Sequence, residues 1–475
     1  MNNNNINGNH YDAVVIGAGM SGLAVAIRLA MFDQKVLVLE RHEAPGGLNS
    51  FYTLRGRKYD VGLHAMTNYV PKGTKGTPLG KLLRQLRIPR EDFALCPQIQ
   101  SRIAFTDANL SFTNDFAHLR SEIERVFPSQ IIGLEKLLKT ISEREDTALK
   151  GGYKSTRNIL KDYFTEPLLI EMLLCPLMFY GSATEKDIDF DQFSILFKSI
   201  FLEGFARPFA GVRKIIKVLT QKLKSVGGER KMRLGVKKIK VNKREVSEIE
   251  LDNGDCITGK KIFSTIGRVE TENLCDDFEN KSIPQDSEKV LSFVESITLT
   301  RNQPRDYHIG DTIVFFNEGK DFDYTVPKDE VDLRSGVTCM PNNYQYPDQQ
   351  ELPEGIIRVT VLANYHKWKL LSPSNYKDRK NYWYHKMQEQ AKQFLGSSAH
   401  FPSSDQVIDT DLFTPLTVER FTGHLKGAIY GSPKKNKDGR SHLKNLFICG
   451  TDQGFLGITG ALLSGISIAN AYGLR

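Results

Sequence analysis

The most regular pattern of apolar and polar positions lies near the start of the chain. Residues 11–16 form a short apolar run that is rich in β-branched side chains and ends at Gly17, which predicts a buried parallel strand. Apolar residues recur at helical spacing over residues 23–30, and a second apolar run over residues 35–39 ends in Glu40. The pattern therefore predicts a strand, a helix and a second strand beside the first.

Glycines mark the turn between the first strand and the helix. The segment Gly17-Ala-Gly19-Met-Ser-Gly22 has the GxGxxG spacing of a dinucleotide-binding turn. The first glycine permits a tight turn, the second lets the backbone approach a pyrophosphate, and the third lets the helix lie against the strand. The helix N-terminus offers N–H groups to phosphates, and Glu40, 18 residues beyond Gly22, can accept hydrogen bonds from ribose hydroxyls. We predict dinucleotide contacts from Gly17, Gly19, Met20, Ser21, Gly22 and Glu40.

The segment after Glu40 distinguishes between the common dinucleotides. Arg41 is followed by the turn Gly46-Gly47-Leu48, and residues 56–62 read Gly-Arg-Lys-Tyr-Asp-Val-Gly. This order resembles the extended motif of the FAD-dependent amine oxidase and phytoene desaturase superfamily. The resemblance implies that the cofactor is FAD and that Arg41, Gly46, Gly47 and Leu48 lie along its ribityl and pyrophosphate region. Taken alone, the Gly-Gly pair is also typical of a plain surface turn.

The C-terminal 60 residues resemble the same superfamily. A strand-like run over residues 445–449 ends in Gly450-Thr-Asp452, and spaced glycines and an apolar helical pattern follow. By this resemblance the helix N-terminus faces the flavin pyrimidine edge, where its positive end would stabilise a reduced, anionic flavin. The implied cofactor contacts are Gly450, Asp452, Gly457, Ile458 and Thr459. Without a ligand, the segment would be a buried glycine-rich helix.

A third segment of this kind lies in the middle of the chain. Asn253-Gly254 between alternating residues is a strong hairpin signal, and residues 261–267 resemble the returning strand of the superfamily. The resemblance implies that the Val236 backbone contacts the adenine ring. We therefore expect an α/β fold in which an FAD-binding Rossmann-like domain of the glutathione reductase type is interleaved with an α+β substrate domain. The expected FAD-binding segments are 11–85, 226–274 and 441–475, and the expected substrate-domain segments are 86–225 and 275–440.

Composition limits the compartment and the partners. The chain has 475 residues and a formal net charge of +8, which is too diffuse to indicate a nucleic-acid partner. No apolar run is long enough for a transmembrane helix, and the N-terminus lacks a signal-peptide pattern. Six cysteines without a CxxC pair argue against a disulfide framework or a cysteine-based zinc site. We expect a cytoplasmic protein with no metal ligands and, from its six asparagines, a disordered tail over residues 1–10.

The expected substrate domain contains two strongly apolar stretches. Residues 167–180 are almost entirely apolar, and aromatic residues recur at helical spacing over 193–209. Most of this stripe is expected to be core. A second interpretation is a groove for a long hydrocarbon whose rim docks on a membrane surface, helped by basic residues around the stripe. Those residues, Lys198, Arg207, Arg213, Lys214 and Lys217, also fit an ordinary solvated face.

Taken together, these segments resemble the phytoene desaturase, carotenoid isomerase and retinol saturase-like flavoproteins. The resemblance implies a flavin oxidoreductase that makes, saturates or isomerises carbon–carbon double bonds of a long apolar isoprenoid by hydride exchange. His64 follows the extended motif and is a candidate for proton transfer or flavin orientation; alternatively, it is a packing histidine bonded to backbone. Tyr430 lies in a segment that resembles one running past the flavin, and it is the second catalytic candidate.

Two other functions remain open at the level of sequence. An amine oxidase surrounds its flavin with an aromatic cage, for which Tyr430 is an obvious candidate, while Trp368 and Trp383 are the two tryptophans of the chain. Rab escort and GDP-dissociation-inhibitor proteins share the resemblance but bind prenylated partners without redox chemistry. The presence of both the phosphate turn and the C-terminal flavin segment favours a protein that binds FAD.

Overall fold

The computed structural model describes residues 6–62, 64–144, 152–278 and 290–474. Within them the strands are β1 (His10–Ile16), β2 (Val36–Glu40), β3 (Phe51–Leu54), β4 (Arg57–Asp60), β5 (Leu95–Pro97), β6 (Ser101–Phe105), β7 (Asn109–Phe112), β8 (Ala206–Pro208), β9 (Glu229–Met232), β10 (Val236–Asn242), β11 (Glu245–Leu251), β12 (Cys256–Ser264), β13 (Ser292–Thr300), β14 (Ile313–Asn317), β15 (Val331–Cys339), β16 (Gly355–Ala363), β17 (Val407–Phe413) and β18 (Leu446–Ile448). The helices are α1 (Met20–Ala30), α2 (Pro78–Leu86), α3 (Phe116–Val126), α4 (Ile131–Ser142), α5 (Thr156–Leu160), α6 (Pro167–Gly181), α7 (Phe190–Phe197), α8 (Val212–Ser225), α9 (Arg268–Leu274), α10 (Tyr365–Lys369), α11 (Pro373–Lys392), α12 (Pro415–Thr422) and α13 (Gly457–Ile468).

The first large sheet is built from distant parts of the chain. Its parallel core runs β18-β12-β1-β2-β9, and the β10–β11 hairpin joins the start of β12. The N-terminal strand, helix and strand predicted from the sequence are confirmed as β1, α1 and β2. The hairpin turn is also confirmed, since Gly254 adopts a φ of 88° between β11 and β12. Helices α1, α8 and α13 pack together on one side of this sheet and share one apolar core.

The packing of α8 bears on the expected domain boundary at residue 226. The apolar side chains of this helix, from Val212 to Leu223, are buried in the same core as α1. Residues 79–93 contribute Leu82, Leu86 and Phe93 to that core as well. The basic residues of α8 do not show from the sequence which domain the helix joins. Its buried apolar side chains show that it faces the first sheet. By this packing α8 and residues 79–93 lie with the first sheet, and the division of the chain into two domains stays a prediction.

The second large sheet has the order β17-β13-β16-β15-β14-β6-β7 and is antiparallel except between β14 and β6. One of its faces packs against α6 and α7 in a large, aromatic-rich core. The opposite face packs against α10 and α11, where both tryptophans, Trp368 and Trp383, are buried. The hairpin β3–β4 reaches across from the first sheet, because Tyr59 packs on Ile297 and Leu299 of the second.

The aromatic stripe over residues 193–205 is core. Phe193, Phe197, Phe201 and Phe205 are each at most 1% exposed. They are covered by each other and by strands that are distant in sequence. Phe112 of β7, for example, contacts both Phe201 and Phe205. These four buried side chains are not available to a bilayer, whereas Phe209 at the end of the predicted stripe is only partly buried, and docking on a membrane stays a prediction. Across the described ranges, none of the helices has the length and apolar character needed to span a membrane.

The start of the chain is more ordered than its composition suggests. Residues 1–5 of the predicted tail lie outside the described residues. From Ile6 onward the chain packs on the first sheet, where Ile6 is 4% exposed and the Gly8 N–H donates to the Cys256 carbonyl at 2.7 Å. The prediction of a disordered tail is therefore wrong for residues 6–10, because β12 supplies hydrogen-bond partners that the local sequence does not reveal.

Candidate functional site

Two glycines of the turn after β1 are required by the protein itself. Gly17 has a φ of +100°, and a Cβ built there lies 2.6 Å from the Thr265 hydroxyl oxygen. A Cβ built on Gly22 lies 2.0 Å from the Gly17 carbonyl oxygen, so α1 could not approach β1 with any larger residue. These positions fix the turn and the contact between helix and strand, as the fingerprint predicts.

Gly19 has no such reason to be glycine. It is the N-cap of α1, with φ −69° and ψ 178°, a conformation that any residue adopts. No described atom lies within 4 Å of a Cβ built on Gly19. The N-terminal end of α1 thus faces open space that a side chain would fill. This is the geometry expected where a pyrophosphate lies against backbone N–H groups.

The Gly-Gly turn lies directly beside this position. The Gly46 N–H donates to the Ala18 carbonyl at 2.9 Å, and a Cβ built on Gly47 lies 3.5 Å from the Gly19 Cα. Gly46 has a φ of +117° and is buried against Ile216 of α8, whereas Gly47 is exposed. The two turns therefore form adjacent walls of one groove.

Glu40 lies at the same end of the sheet. Its carboxylate accepts hydrogen bonds from the Ala18 N–H at 2.8 Å and from the His42 N–H at 2.9 Å. These bonds hold the phosphate turn against β2. The segment that leads into Val236 is also close, because the Leu234 N–H donates to the Glu40 carbonyl at 2.9 Å. A ribose contact by Glu40 and an adenine contact by Val236 stay predictions.

The C-terminal helix brings a second N-terminus to this region. A Cβ built on Gly465 lies 2.3 Å from the Ser21 carbonyl oxygen, so α13 lies directly on α1. The first residue of α13, Gly457, is exposed between the buried Leu456 and Ile458. The third residue, Thr459, donates its hydroxyl to the Thr67 carbonyl at 3.2 Å. The other predicted contacts here are the buried Met20 and Ser21, the partly buried Leu48, and Arg41, whose guanidinium lies against Gly423.

Asp452 joins three segments around the end of β18. The side chain is 2% exposed, and its two oxygens accept hydrogen bonds from the backbone N–H groups of Ser432 and Arg268. Nearby, the Gly450 N–H donates to the Ser464 hydroxyl at 2.6 Å. Asp452 thus fixes the loop after Tyr430 and the start of α9, and its approach to ribityl or phosphate oxygens stays a prediction.

His64 belongs to a buried charged network on the second sheet. Its Nε2 lies 2.6 Å from a Glu295 carboxylate oxygen and 3.3 Å from the Thr360 hydroxyl. The other Glu295 oxygen accepts hydrogen bonds from the Arg358 guanidinium, and the Arg358 side chain is 3% exposed. The interpretation of His64 as a histidine whose ring is bonded to backbone does not describe this arrangement, because the ring is held by a carboxylate.

The strand register explains why these groups meet. In the β13–β16 pair Glu295 lies opposite Thr360 and Ile297 opposite Arg358, while in the β15–β16 pair Cys339 lies opposite Arg358. Side chains two residues apart share a face of a strand, so all of these residues project from the same face of the sheet. That face carries the aromatic-rich core.

The network alters the protonation of both partners. Burial opposes the charge on His64, but the Cys339 sulfur and the Glu295 carboxylate outweigh it and raise the pKa of His64 to about 9. Burial also opposes the charge on Glu295, but Arg358 and His64 outweigh it and lower the pKa of Glu295 to about 2. At neutral pH His64 is therefore a protonated donor to Glu295.

Tyr430, the second catalytic candidate, lies at the edge of the same core. Its hydroxyl donates to the Phe179 carbonyl, and its ring packs edge-on against Phe293 of β13. Burial raises the pKa of Tyr430, so its hydroxyl stays protonated. Lys435 donates to the Tyr430 carbonyl, and burial lowers the pKa of Lys435 to about 8, opposed by Asp452. His64 and Tyr430, which lie near opposite ends of the chain, thus adjoin the same core.

Comparison with known proteins gives this geometry a family context. The NAD(P)-binding Rossmann-like domain family matches residues 15–86. Prolycopene isomerase of Arabidopsis thaliana is 23% identical over 463 residues, covering 90% of this chain and 76% of that protein. The chain is similar in sequence to carotenoid isomerases and desaturases. It also aligns with the 1-hydroxycarotenoid 3,4-desaturase of a Flavobacterium species, at 22% identity over 90% of this chain and 89% of that protein. The resemblance predicted from the sequence is confirmed.

Solved structures support the fold. An oxidoreductase from Methanosarcina mazei superposes with a TM-score of 0.66 at 16% identity, covering 96% of this chain and 99% of that chain. A double mutant of putrescine oxidase superposes with a TM-score of 0.62 at 13% identity, covering 98% and 100%. The predicted α/β fold class with a Rossmann-like dinucleotide-binding domain is confirmed.

The sequence interpretation missed the partners of His64 and Tyr430. Glu295 is 231 residues from His64 and Arg358 is 63 residues further on, so no local spacing connects them. A signal was nevertheless present, because Glu295 and Arg358 are each the one charged residue within an otherwise uncharged strand, β13 and β16 respectively. Single opposite charges in two buried strands indicate a pair, since an unpaired buried charge is costly.

Proposed function

We propose that the protein is an FAD-dependent oxidoreductase that acts on carbon–carbon double bonds of a long apolar isoprenoid. Among the relatives that align with about 90% of the chain are carotenoid isomerases and desaturases. At 22–23% identity they support the class of reaction and leave its direction open. Desaturation removes a hydride equivalent from the substrate and saturation adds one, whereas isomerisation requires no net transfer.

The observation that carries the cofactor assignment is the open position at Gly19. Packing and φ account for Gly17 and Gly22, whereas Gly19 is glycine although its conformation and its surroundings accept a side chain. A ligand that lies on the backbone at the start of α1 accounts for this difference. The fit favours FAD over a non-redox, prenyl-binding escort function, for which an open phosphate turn has no use.

The residues present fit the two ends of such a cofactor. We assign the pyrophosphate to the N-terminus of α1 and to the Gly46-Gly47 turn, the adenosine to the groove beside Glu40 and Val236, and the flavin end to the N-terminus of α13. Residues 11–93, 212–274 and 441–475 then form the FAD-binding domain. Bound FAD supplies the hydride acceptor or donor. His64 holds a proton on Nε2, and the Glu295–Arg358 pair fixes the orientation of that imidazole.

The apolar face of the second sheet supports an isoprenoid as the substrate. His64 and Tyr430 both adjoin the aromatic-rich core, where burial keeps water away from the reacting groups. Trp368 and Trp383 do not supply the aromatic cage of an amine oxidase at this face, because both are buried on the opposite face of the sheet. Association with a membrane surface, through residues other than the buried aromatic stripe, remains part of this proposal as the route by which an apolar substrate arrives.

The test begins with the purified protein. It should be yellow, bleach on reduction and release FAD, identified by chromatography, after denaturation. Expression in hosts that accumulate different isoprenoids should then change the isoprenoids found in lipid extracts, and His64→Gln should abolish that change while the protein stays yellow. A colourless protein that FAD does not reconstitute would refute the proposal.

A further inference from the structure

A cleft opens where the β3–β4 hairpin crosses the second sheet. It has a volume of about 260 Å³ and lies between β4 on one side and strands β13 and β16 on the other. Its floor is apolar, formed by residues of the sheet and the loops beside it, namely Ile297, Leu299, Ile356, Leu352 and Pro341, with Phe209 at its wall. Apolar side chains on this floor suit a hydrocarbon segment.

The walls of the same cleft are strongly cationic. Five basic side chains line it, Arg57, Lys58, Arg207, Arg213 and Arg358, against two acidic ones, Asp60 and Glu354. Glu295 pairs with Arg358 from outside the cleft and neutralises one further charge. The five basic and three acidic side chains together leave an excess of two positive charges. A cleft with cationic walls above a low-dielectric floor concentrates the field and attracts an anion.

Arg213 is the group best placed to meet that anion. It lies 3.6 Å from one oxygen of Asp60, while the other Asp60 oxygen accepts a hydrogen bond from Arg207 at 2.8 Å. The Arg213 Nη1 is buried and has no hydrogen-bond partner among the described residues, and the side chain as a whole is 29% exposed. The guanidinium is therefore held at the cleft by a long ion pair with Asp60 that leaves its Nη1 without a hydrogen-bond acceptor among the described residues. Guanidinium groups bind carboxylates and phosphates through paired donors.

The strands that form the floor of the cleft lead toward His64. Leu299, Ile297 and Glu295 alternate along one face of β13, and Ile356, Arg358 and Thr360 alternate along the same face of β16. The Leu299–Ile356 end is four residues from the Glu295–Thr360 pair that holds His64, or about 13 Å along the strand. A volume of about 260 Å³ is below the range of roughly 300–1,000 Å³ typical of pockets that enclose a whole ligand. The cleft therefore suits one end of a longer molecule.

We infer that this cleft binds the anionic end group, a carboxylate or a phosphate, of an otherwise apolar chain molecule. The inference rests on the proposed function in one respect, namely that such a molecule is the substrate whose apolar part extends toward His64. Binding itself requires neither flavin nor turnover, so the two proposals can fail separately.

The test compares a charged and an uncharged form of one probe on the full-length protein. Parinaric acid, a fluorescent polyene with a fatty-acid chain, should bind at least tenfold more tightly than its methyl ester. Arg213→Gln should remove most of that preference without changing the affinity for the ester. Lys217→Gln is the matched control, because Lys217 is exposed one turn further along α8 and does not line the cleft.

Several results would overturn the inference. These are equal binding of acid and ester by the unaltered protein, an undiminished preference in Arg213→Gln, or displacement of parinaric acid by acetate at the concentrations at which dodecanoate displaces it. If Arg213→Gln does not fold, Arg57→Gln on the opposite, more exposed wall should reduce the preference instead. Displacement at lower concentration by dodecanoate than by dodecyl phosphate identifies a carboxylic acid, the reverse order identifies a phosphate monoester, and displacement by neither refutes the site. A colourless protein that still prefers the acid would refute the proposed function and leave the cleft assignment intact.

Discussion

Replacing Glu295 with glutamine tests whether the buried charged network supports the second sheet. The substitution keeps the shape of the side chain and one acceptor oxygen but removes the charge that faces Arg358 and His64. Glu295 is 6% exposed and Arg358 is 2% exposed, so water cannot replace the lost carboxylate without opening the strands. The Arg358 charge would then be buried beside a neutral amide.

The expected cost follows from the burial of the arginine. Removing one partner of a buried ion pair typically destabilises a protein by about 3–5 kcal/mol, because the remaining charge is left uncompensated. Glutamine still accepts one hydrogen bond, so we expect the lower end, about 3 kcal/mol. This is a substantial part of the roughly 5–15 kcal/mol by which a folded domain is stable.

Denaturant unfolding of both variants provides the assay, with Glu354→Gln as the matched control. Glu354 also pairs with an arginine, Arg57, at 2.9 Å, but the two side chains are 28% and 36% exposed. Exposed pairs contribute about 0–1 kcal/mol, so the control should shift the midpoint little. If Glu295→Gln shifts the unfolding midpoint no more than Glu354→Gln does, the network is not a buried charge cluster and the reasoning is refuted.

Three further predictions concern the cofactor turn and the two catalytic candidates. Gly19→Val should fold normally and purify without flavin. The control Gly310→Val should stay yellow, although no described atom lies within 4 Å of a Cβ built on Gly310 either. A yellow Gly19→Val protein would contradict the cofactor assignment. The raised pKa of His64 stabilises the fold fully below pH 6.5, and this contribution of about 3 kcal/mol is lost as pH rises through about 9. Unfolding of the unaltered protein should therefore become easier over that interval, and the same slope in His64→Gln would disprove the assignment. Tyr430→Phe should lower the free energy of unfolding by about 1–3 kcal/mol, because the buried Phe179 carbonyl loses its donor, and absorbance should show that flavin is retained.

The parts of the fold that the sequence predicted are those set by local chemistry. The close approach at Gly22 follows from sterics within the turn, because a Cβ built there meets the Gly17 carbonyl, whereas the contact that excludes a Cβ at Gly17 is with the distant Thr265. The partner of His64 could not be found in this way, because Glu295 lies 231 residues away on β13 and no local spacing connects the two. Local sequence determines which residues are charged, whereas the register of distant strands determines which charges meet.

The same distinction explains why the sequence left the aromatic stripe with two interpretations, core or membrane-docking groove. It also explains why Gly19 indicates a ligand. Helical spacing over residues 193–205 shows which side of a helix is apolar, but the same spacing serves a helix that meets lipid and a helix that meets a sheet. The covering residues, such as Phe112, come from strands about 90 residues away, and only the structure identifies them. Gly19 presents the opposite case, because none of the described atoms around it explains a glycine there. A buried aromatic residue that the fold fully covers requires no ligand, whereas an open glycine in a GxGxxG turn at the N-terminus of a helix is explained by one. The strongest support for a cofactor in this chain is therefore a small residue at a position where the protein itself would accept a larger one.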